Sequence, residues 1–377
     1  FKNYINARLK KGDYDVIRFQ SKITQSMEDN SFIVNSLLNL DNRELEIKGV
    51  NYISISDSQK VYIQPYGGLI KVKKNRDFDF SGKISVGLGR FILFGQEFKF
   101  KYDDFKIDLN KIDSLQLSVP IVPIERDDYG NEKLVKIKTV IQSVSGNLCI
   151  DEPTNKSGLR KDSFPQYPIF KSFDNSYIYY DRPTTFGGVY NRESFYFYLD
   201  TFEIDSLESF SGRGLRFPGS FESAGIFPVF NDTLTMMNDY SLGFERETPS
   251  NGFPLYGGKA VYRNKIFLSN NGLMGNGELE YLTSNTKSNE IYFFPDSTAL
   301  FAQSFELNRV DEGIEFPDVE NTEIFGLYEP YNDKYRIHKL KSDFYCYDKQ
   351  ANFDGDMVLK PTGLIGEGMM NLDNSQM

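Results

Sequence analysis

A nine-residue glycine signature occurs twice in this chain and restricts what it can fold into. Asn271-Gly272-Leu273-Met274-Gly275-Asn276-Gly277-Glu278-Leu279 returns as Thr362-Gly363-Leu364-Ile365-Gly366-Glu367-Gly368-Met369-Met370, the first glycines lying 363 − 272 = 91 residues apart. The approach recurs as well, with Ile266-Phe267-Leu268 before the first copy and Met357-Val358-Leu359 before the second. A shorter signature, a glycine with an apolar residue two before and two after it, is centred on Gly82, Gly146, Gly219, Gly258 and Gly355. Self-similarity of this kind describes a building unit used more than once. Glycine lacks a Cβ, so it admits left-handed backbone, bulges and close strand approach. The reading is that an apolar residue enters the core, the glycine bends the chain, and a new strand departs. Gly272, Gly275, Gly277, Gly363, Gly366, Gly368 and the five glycines of the shorter signature then mark strand corners. Ordinary hairpin glycines of a β-sandwich are the alternative.

The rest of the chain supports strands. Phe occurs 33 times and Tyr 24 times, residue types that suit a pleated, half-buried surface. Period-two alternation is frequent: Glu97-Phe98-Lys99-Phe100-Lys101-Tyr102 separates aromatics from charge, and Phe105-Lys106-Ile107-Asp108-Leu109 repeats the pattern. Ser194-Phe195-Tyr196-Phe197-Tyr198-Leu199-Asp200 carries large apolar groups on both faces and reads as a central strand. Val61-Tyr62-Ile63 and Leu69-Ile70-Lys71-Val72 flank Gln64-Pro65-Tyr66-Gly67-Gly68 and read as a hairpin. At most a turn or two of helix is expected, near residues 33–40. The fold class is therefore all-β, an elongated repetitive architecture (solenoid or open β-groove), with stacked β-sandwiches as the alternative. Residues 151–168, rich in Pro, Ser, Lys and Asp, read as a linker between an N-terminal part, 1–150, and a C-terminal repeat part, 169–377. The first and last residues suggest an internal piece of a longer polypeptide.

Charge narrows the partners. With 43 Lys and Arg against 53 Asp and Glu the net charge is −10, and there is no basic block. Phosphate backbones and anionic bilayers need clustered cations, so neither nucleic acid nor an acidic membrane surface is an expected partner. No apolar run approaches the roughly 20 residues of a spanning helix. Cys149 and Cys346 have no framework spacing; two lone buried thiols are expected, with pairing across the fold left open.

Candidate chemistry is sparse. His338 is the only histidine, and the alternation around it places it on a solvent face. One His and two distant Cys do not build a zinc site by local spacing. Gly257-Gly258-Lys259-Ala260 lacks the spacing and the hydroxyl of a phosphate loop. Asp127, Asp128 and Glu132 supply carboxylates without the alternation of a calcium loop and read as a solvated turn. Tyr177, Tyr179 and Tyr180 suit either sugar stacking or sheet packing. No catalytic residue, metal ligand or cofactor is assigned.

Two resemblances bear on function. Phe80-Ser81-Gly82-Lys83-Ile84, with 98–109 and Ile112-Asp113-Ser114-Leu115, resembles the strand repeats of AsmA/TamB-type envelope proteins, which form β-grooves in the periplasm and are implicated in moving lipid between membranes. Tyr179-Tyr180-Asp181, Gly188-Val189-Tyr190, Phe195-Tyr196-Phe197, Ser223-Ala224-Gly225-Ile226-Phe227-Pro228 and the first long glycine signature are similar to very large exported proteins of Bacteroidota. Asp113-Ser114-Leu115, Asp205-Ser206-Leu207, Asp232-Thr233-Leu234 and Asp296-Ser297-Thr298 resemble the O-glycosylation triplet of such proteins. The resemblances imply export to the periplasm, outer membrane or cell surface of a Gram-negative bacterium. The expected role is a non-enzymatic scaffold bound to other envelope proteins. A lipid-conducting groove is one alternative, and a glycan-binding or carbohydrate-active protein is another.

Overall fold

The computed structural model describes the backbone of residues 2–11, 13–22, 36–309 and 316–372, and the side chains of 36–309 and 316–372. The protein is all-β. Its helical elements, among the described residues, are single three-residue 3₁₀ turns. The first sheet is opened by β1 (Lys2–Lys11), β2 (Asp13–Lys22), β3 (Ser36–Leu38), β4 (Leu45–Ile47), β5 (Val50–Ser56), β6 (Val61–Pro65) and β7 (Ile70–Val72). It goes on through β8 (Phe78–Val86), β9 (Phe91–Lys101), β10 (Lys106–Pro120), β11 (Leu134–Lys136), β12 (Gly146–Cys149) and β13 (Ile169–Ser172). Next, β14 (Ser176–Tyr179) and β15 (Phe195–Leu199) open the second sheet, and β16 (Glu203–Ile204) returns to the first. The second sheet continues with β17 (Phe217–Ser223), β18 (Phe230–Met236), β19 (Leu242–Glu247), β20 (Phe253–Leu255), β21 (Ala260–Ser269), β22 (Gly272–Tyr281) and β23 (Ser284–Phe293). It closes with β24 (Thr298–Ala302), β25 (Ser304–Leu307), β26 (Val319–Asn321), β27 (Ile324–Glu329), β28 (Lys334–Lys339), β29 (Phe344–Cys346), β30 (Ala351–Lys360) and β31 (Gly363–Leu372).

The chain forms two compact units, 1–178 with 198–219, and 179–197 with 220–377. No boundary falls at the linker expected over 151–168. That stretch is packed into the first unit: Asp151 and Asn155 are buried, and Asp151 accepts from Gln59 Nε2 at 2.7 Å and from Asn155 Nδ2 at 3.2 Å. Its polar composition serves an internal hydrogen-bond cluster.

The first unit is built on β8, β9 and β10. Antiparallel register sets Phe78 opposite Phe100 and Phe80 opposite Phe98, with ring centroids 4.8 and 5.5 Å apart. Phe105 closes on Phe100 edge-on at 6.3 Å. Burial of each such ring contributes roughly 1.5–3 kcal/mol, which ties the three strands to one core. The segment over 64–68 is not a hairpin. β6 and β7 both pair with β8, at Val61↔Val86 to Pro65↔Gly82 and then at Lys71↔Asp79 and Val72↔Phe78. Gly67 and Gly68, at φ +67° and +65°, re-aim the chain without reversing it. The helix expected near 33–40 is also absent where the structure describes it. Ser36–Leu38 is a strand paired with β4, and Asn39 Oδ1 caps the following turn by accepting from Asp41 N at 2.9 Å. The remainder of that expected helix, residues 33–35, lies outside the described residues.

The second unit is a run of antiparallel strands with an aromatic interior. Tyr190 stacks on Phe195 at 3.9 Å, and Phe227, Tyr262 and Phe293 meet at 5.0–6.1 Å. The opposite face is charged, with Arg263 paired to Glu280 and Lys287 to Glu278. One long strand, β23, splits its far partner: residues 290–293 pair with β24 and residues 284–287 with β25. The tracks β24-β27-β28 and β25-β26-β29 rejoin on β30, making a closed circuit of pairings within the sheet without a barrel.

Candidate functional site

The doubled signature marks a four-strand unit that the fold builds twice. In the first copy β21 is a continuous strand that pairs with β19 (Phe244↔Leu268, Glu247↔Lys265), with β20 (Phe253↔Tyr262, Leu255↔Ala260) and with β22 (Ser269↔Gly272, Ile266↔Gly275). In the second copy β30 pairs with β28 (Tyr335↔Leu359, His338↔Asp356), with β29 (Phe344↔Phe353, Cys346↔Ala351) and with β31 (Lys360↔Gly363, Met357↔Gly366). Every one of these pairs is displaced by the same 91 residues as the glycines, as in 244 to 335 and 260 to 351. The repeat is thus one of strand register.

The glycines fall into distinct roles, and most are not corners. Gly258, Gly272 and Gly363 stand at turns, with φ +93°, +100° and +141°. Gly82, Gly146, Gly219, Gly275, Gly277, Gly355, Gly366 and Gly368 lie within strands. A Cβ at Gly82, Gly146, Gly277, Gly355 or Gly368 would run into the backbone carbonyl oxygen of Gln64, Lys171, Arg263, Glu367 or Asp354. These positions let neighbouring strands approach closely, and Gly82 and Gly277 border register shifts. Gly275 and Gly366 are instead roofed by rings: Tyr262 and Phe293 close over Gly275, and Phe353 closes over Gly366. Covering a strand glycine with a neighbouring aromatic ring restores the packing that the missing side chain forfeits.

The copies differ in what lies beside them. β22 is an interior strand flanked by β21 and β23, with Leu279 and Tyr281 buried. β31 ends the sheet and pairs with β30 alone among the described residues. Its Met370 and Leu372, at the places of Leu279 and Tyr281, are 48% and 70% exposed. Ile365 and Met369 on the other face are exposed too.

The remaining candidates take structural places. His338 stacks on Phe325 and sets Nδ1 3.0 Å from Asp356 across β28 and β30, on a half-exposed face. Gly257 and Gly258 form the tight turn from β20 to β21, and Lys259 Nζ donates to the Pro330 carbonyl oxygen at 2.7 Å. Asp127 caps a surface turn by accepting from Tyr129 N and Asn131 N, and the Asn131 N–H first of all holds its carboxyl below the usual range. Glu132 pairs with Arg90, which also donates to the Phe210 carbonyl oxygen at 2.9 Å. Tyr177 and Tyr179 pair with Tyr198 and Tyr196 at 5.1 and 6.4 Å, while Tyr180 is buried and donates to the Leu242 carbonyl oxygen at 2.9 Å. Cys149 and Cys346 are free thiols. Burial pushes the Cys149 thiol up, and pushes that of Cys346 up to about 11.

One hollow was not visible in local spacing. Tyr52, Tyr62, Gln64, Lys83 and Ser85 line a depression of about 340 Å³ on the face of β5, β6 and β8. Register assembles it, with Gln64 opposite Lys83 and Tyr62 opposite Ser85. Partial burial first, then Asp57 and Tyr52, raises the Tyr62 hydroxyl above its ordinary value. A second cavity, of about 640 Å³, is lined by Arg90, Arg126, Glu132, Lys133 and Glu208 among others, with both signs of charge mixed.

No family model matches the chain, and no curated protein or solved structure matches it.

Proposed function

We propose that this protein is a non-enzymatic structural module of a larger exported assembly in a Gram-negative cell envelope, bound to its neighbours through sheet edges and faces. The observation that carries the reading is the register-exact repetition of one four-strand unit. The envelope location draws on the sequence resemblances to AsmA/TamB-type repeats and to exported Bacteroidota proteins. A lipid-conducting groove requires a continuous apolar channel. Phe98 and Phe100 in the first unit and Phe197 in the second, which would line one, have no exposure and pack against neighbouring rings within their own units. Purification of the native full-length protein from its own cells tests the proposal. Co-purifying envelope proteins at fixed stoichiometry are expected, and stoichiometric bound lipid by mass spectrometry would overturn it.

The Tyr52 and Tyr62 hollow favours a second reading, glycan binding. Tyrosine faces beside an amide, a hydroxyl and an ammonium group supply the stacking and hydrogen bonding a sugar needs. Titration with oligosaccharides, followed by tyrosine fluorescence in the parent and in Tyr62→Ala, separates the two readings.

A further inference from the structure

We propose that the hollow on β5, β6 and β8 takes a sugar residue carrying one negative charge, and that Lys83 selects it through its ammonium group. The inference rests on the glycan reading of this hollow and names the class of sugar. Register arranges the lining in two cross-strand rows. Ser54 opposite Tyr62, and Tyr62 opposite Ser85, make one row. Ile53 opposite Ile63 sets Tyr52 level with Gln64, and Gln64 faces Lys83, which makes the other. The two ends of the hollow are therefore unlike. Ser54 donates to the Asp57 carboxylate, which puts a negative charge beside the Tyr62 end. Lys83 is the one charged residue among those that line the hollow, and it stands at the Gln64 end.

This lysine lacks a counter-charge. Among the described residues no carboxylate lies within ion-pair distance of Lys83, and its Nζ stands 5.9 Å from the centre of the Phe94 ring on the strand opposite. Lys71 and Lys73, in the same unit, are paired with Glu46 and Asp79. The Tyr52, Tyr62, Gln64 and Ser85 side chains make no hydrogen bond among the described residues, so every polar end in the hollow is left for a ligand. One ammonium balances one negative charge. A phosphomonoester brings about −1.5 to −2 and would set the excess against Asp57. A uronate carboxylate or a sulfate ester meets the requirement, with the tyrosine rings for its sugar face and Gln64 and Ser85 for its hydroxyls.

Calorimetric titration of the 377-residue chain with glucuronoxylotriose, which carries one carboxylate, and with its methyl ester, which carries none, tests the assignment. The acid is expected to bind roughly tenfold tighter than the ester, the worth of one charge-assisted hydrogen bond. Lys83→Met keeps an apolar stem beside Phe94 and is expected to remove the preference without changing the melting temperature, while Lys83→Arg keeps it. Equal binding of acid and ester, or a preference that survives Lys83→Met, would overturn the inference and leave the glycan reading standing. Binding of neither form, or binding untouched by Tyr62→Ala, sinks the glycan reading itself. Whichever of glucuronoxylotriose and neocarratetraose monosulfate binds tighter identifies the charged group as carboxylate or sulfate. Inorganic phosphate that competes as well as either would overturn the requirement for a singly charged sugar.

Discussion

Asn264 and Gly355 hold the same place in two copies of one hairpin: each stands where the continuous strand, β21 or β30, passes from one short partner strand to the other. Asn264 is opposite Gly277, and Gly355 is opposite Gly368. The backbone at Asn264 is left-handed, at φ +90°, and is held there by Thr248, whose hydroxyl accepts from Asn264 N at 2.9 Å. A β-branched residue in that conformation is strained, while glycine is not.

Asn264→Val is therefore expected to cost ~1–3 kcal/mol, the range for a strained backbone position. For Asn264→Gly, the gain in strain relief and the loss of about 0.5–1 kcal/mol in backbone entropy nearly cancel. Urea midpoints of the two variants check this. A midpoint for Asn264→Val equal to that of the parent would show that the break does not depend on left-handed backbone.

How much of this was legible in sequence depends on the range of the interaction. Alternation located β9 through Phe98 and Phe100 and β15 through Phe195 and Phe197, because the pleat imposes period two locally. The glycine pair revealed the repeat. What it could not show was that Gly275 and Gly277 sit inside a strand, since the reason lies on other strands, in the Tyr262 and Phe293 rings and the Arg263 carbonyl. The bend at Gly67 and Gly68 looked like a hairpin because turn chemistry does not say whether the next strand pairs backward or runs on along β8. The Tyr52 and Tyr62 hollow depends on the register of three strands, and nothing in local spacing encodes that.

Two tyrosines in the second core should respond oppositely to loss of their hydroxyls. Tyr335 shares a hydrogen bond with the buried Thr286 hydroxyl at 3.0 Å, and Tyr335→Phe leaves that hydroxyl unpartnered at a cost of ~1 kcal/mol. The Tyr328 hydroxyl is buried without a hydrogen-bond partner. Tyr328→Phe is expected to be neutral or stabilising by up to ~1 kcal/mol, because an uncompensated polar group leaves the core. Thermal unfolding of both variants under one set of conditions decides the matter, and equal destabilisation would refute the assignment.

The same core predicts how the protein meets alkali. Burial pushes the Tyr281 hydroxyl up to about 12, with Asp333 adding to it, and pushes those of Tyr180, Tyr190, Tyr256, Tyr262, Tyr328 and Tyr335 further still. In the unfolded chain each ionises near ~10. The folded state thus holds its protons longer, so its stability is complete below the unfolded value and is lost as pH rises from there toward the folded values. Phenolate absorbance should show exposed tyrosines titrating first and a cooperative step later, coincident with loss of the strand signal in circular dichroism. A single smooth titration centred near ~10, with the fold intact, would contradict a closed aromatic interior.

The segment 151–168 gives the most direct test, because its sequence reads as a linker while its structure is packed into the first unit. Asp151 is the anchor: beyond Gln59 and Asn155 it accepts from Glu152 N at 2.7 Å, and Asn155 Oδ1 in turn accepts from Arg160 N at 2.9 Å. Gly158 leaves the space that the Ser58 side chain occupies. Lys161 is pinned by Glu208, and Lys156 donates to the Pro153 carbonyl oxygen at 2.6 Å. Trypsin should therefore spare Lys156, Arg160 and Lys161 in the native protein despite their exposure on a loop. Asp151→Ala removes the acceptor shared by two buried amides, at a cost of ~1.5–3 kcal/mol for hydrogen bonds to a charged group. Cleavage should then appear within 156–161, while the second unit keeps its parental alkaline tyrosine step. Rapid cutting of the parent protein in that window would restore the linker reading.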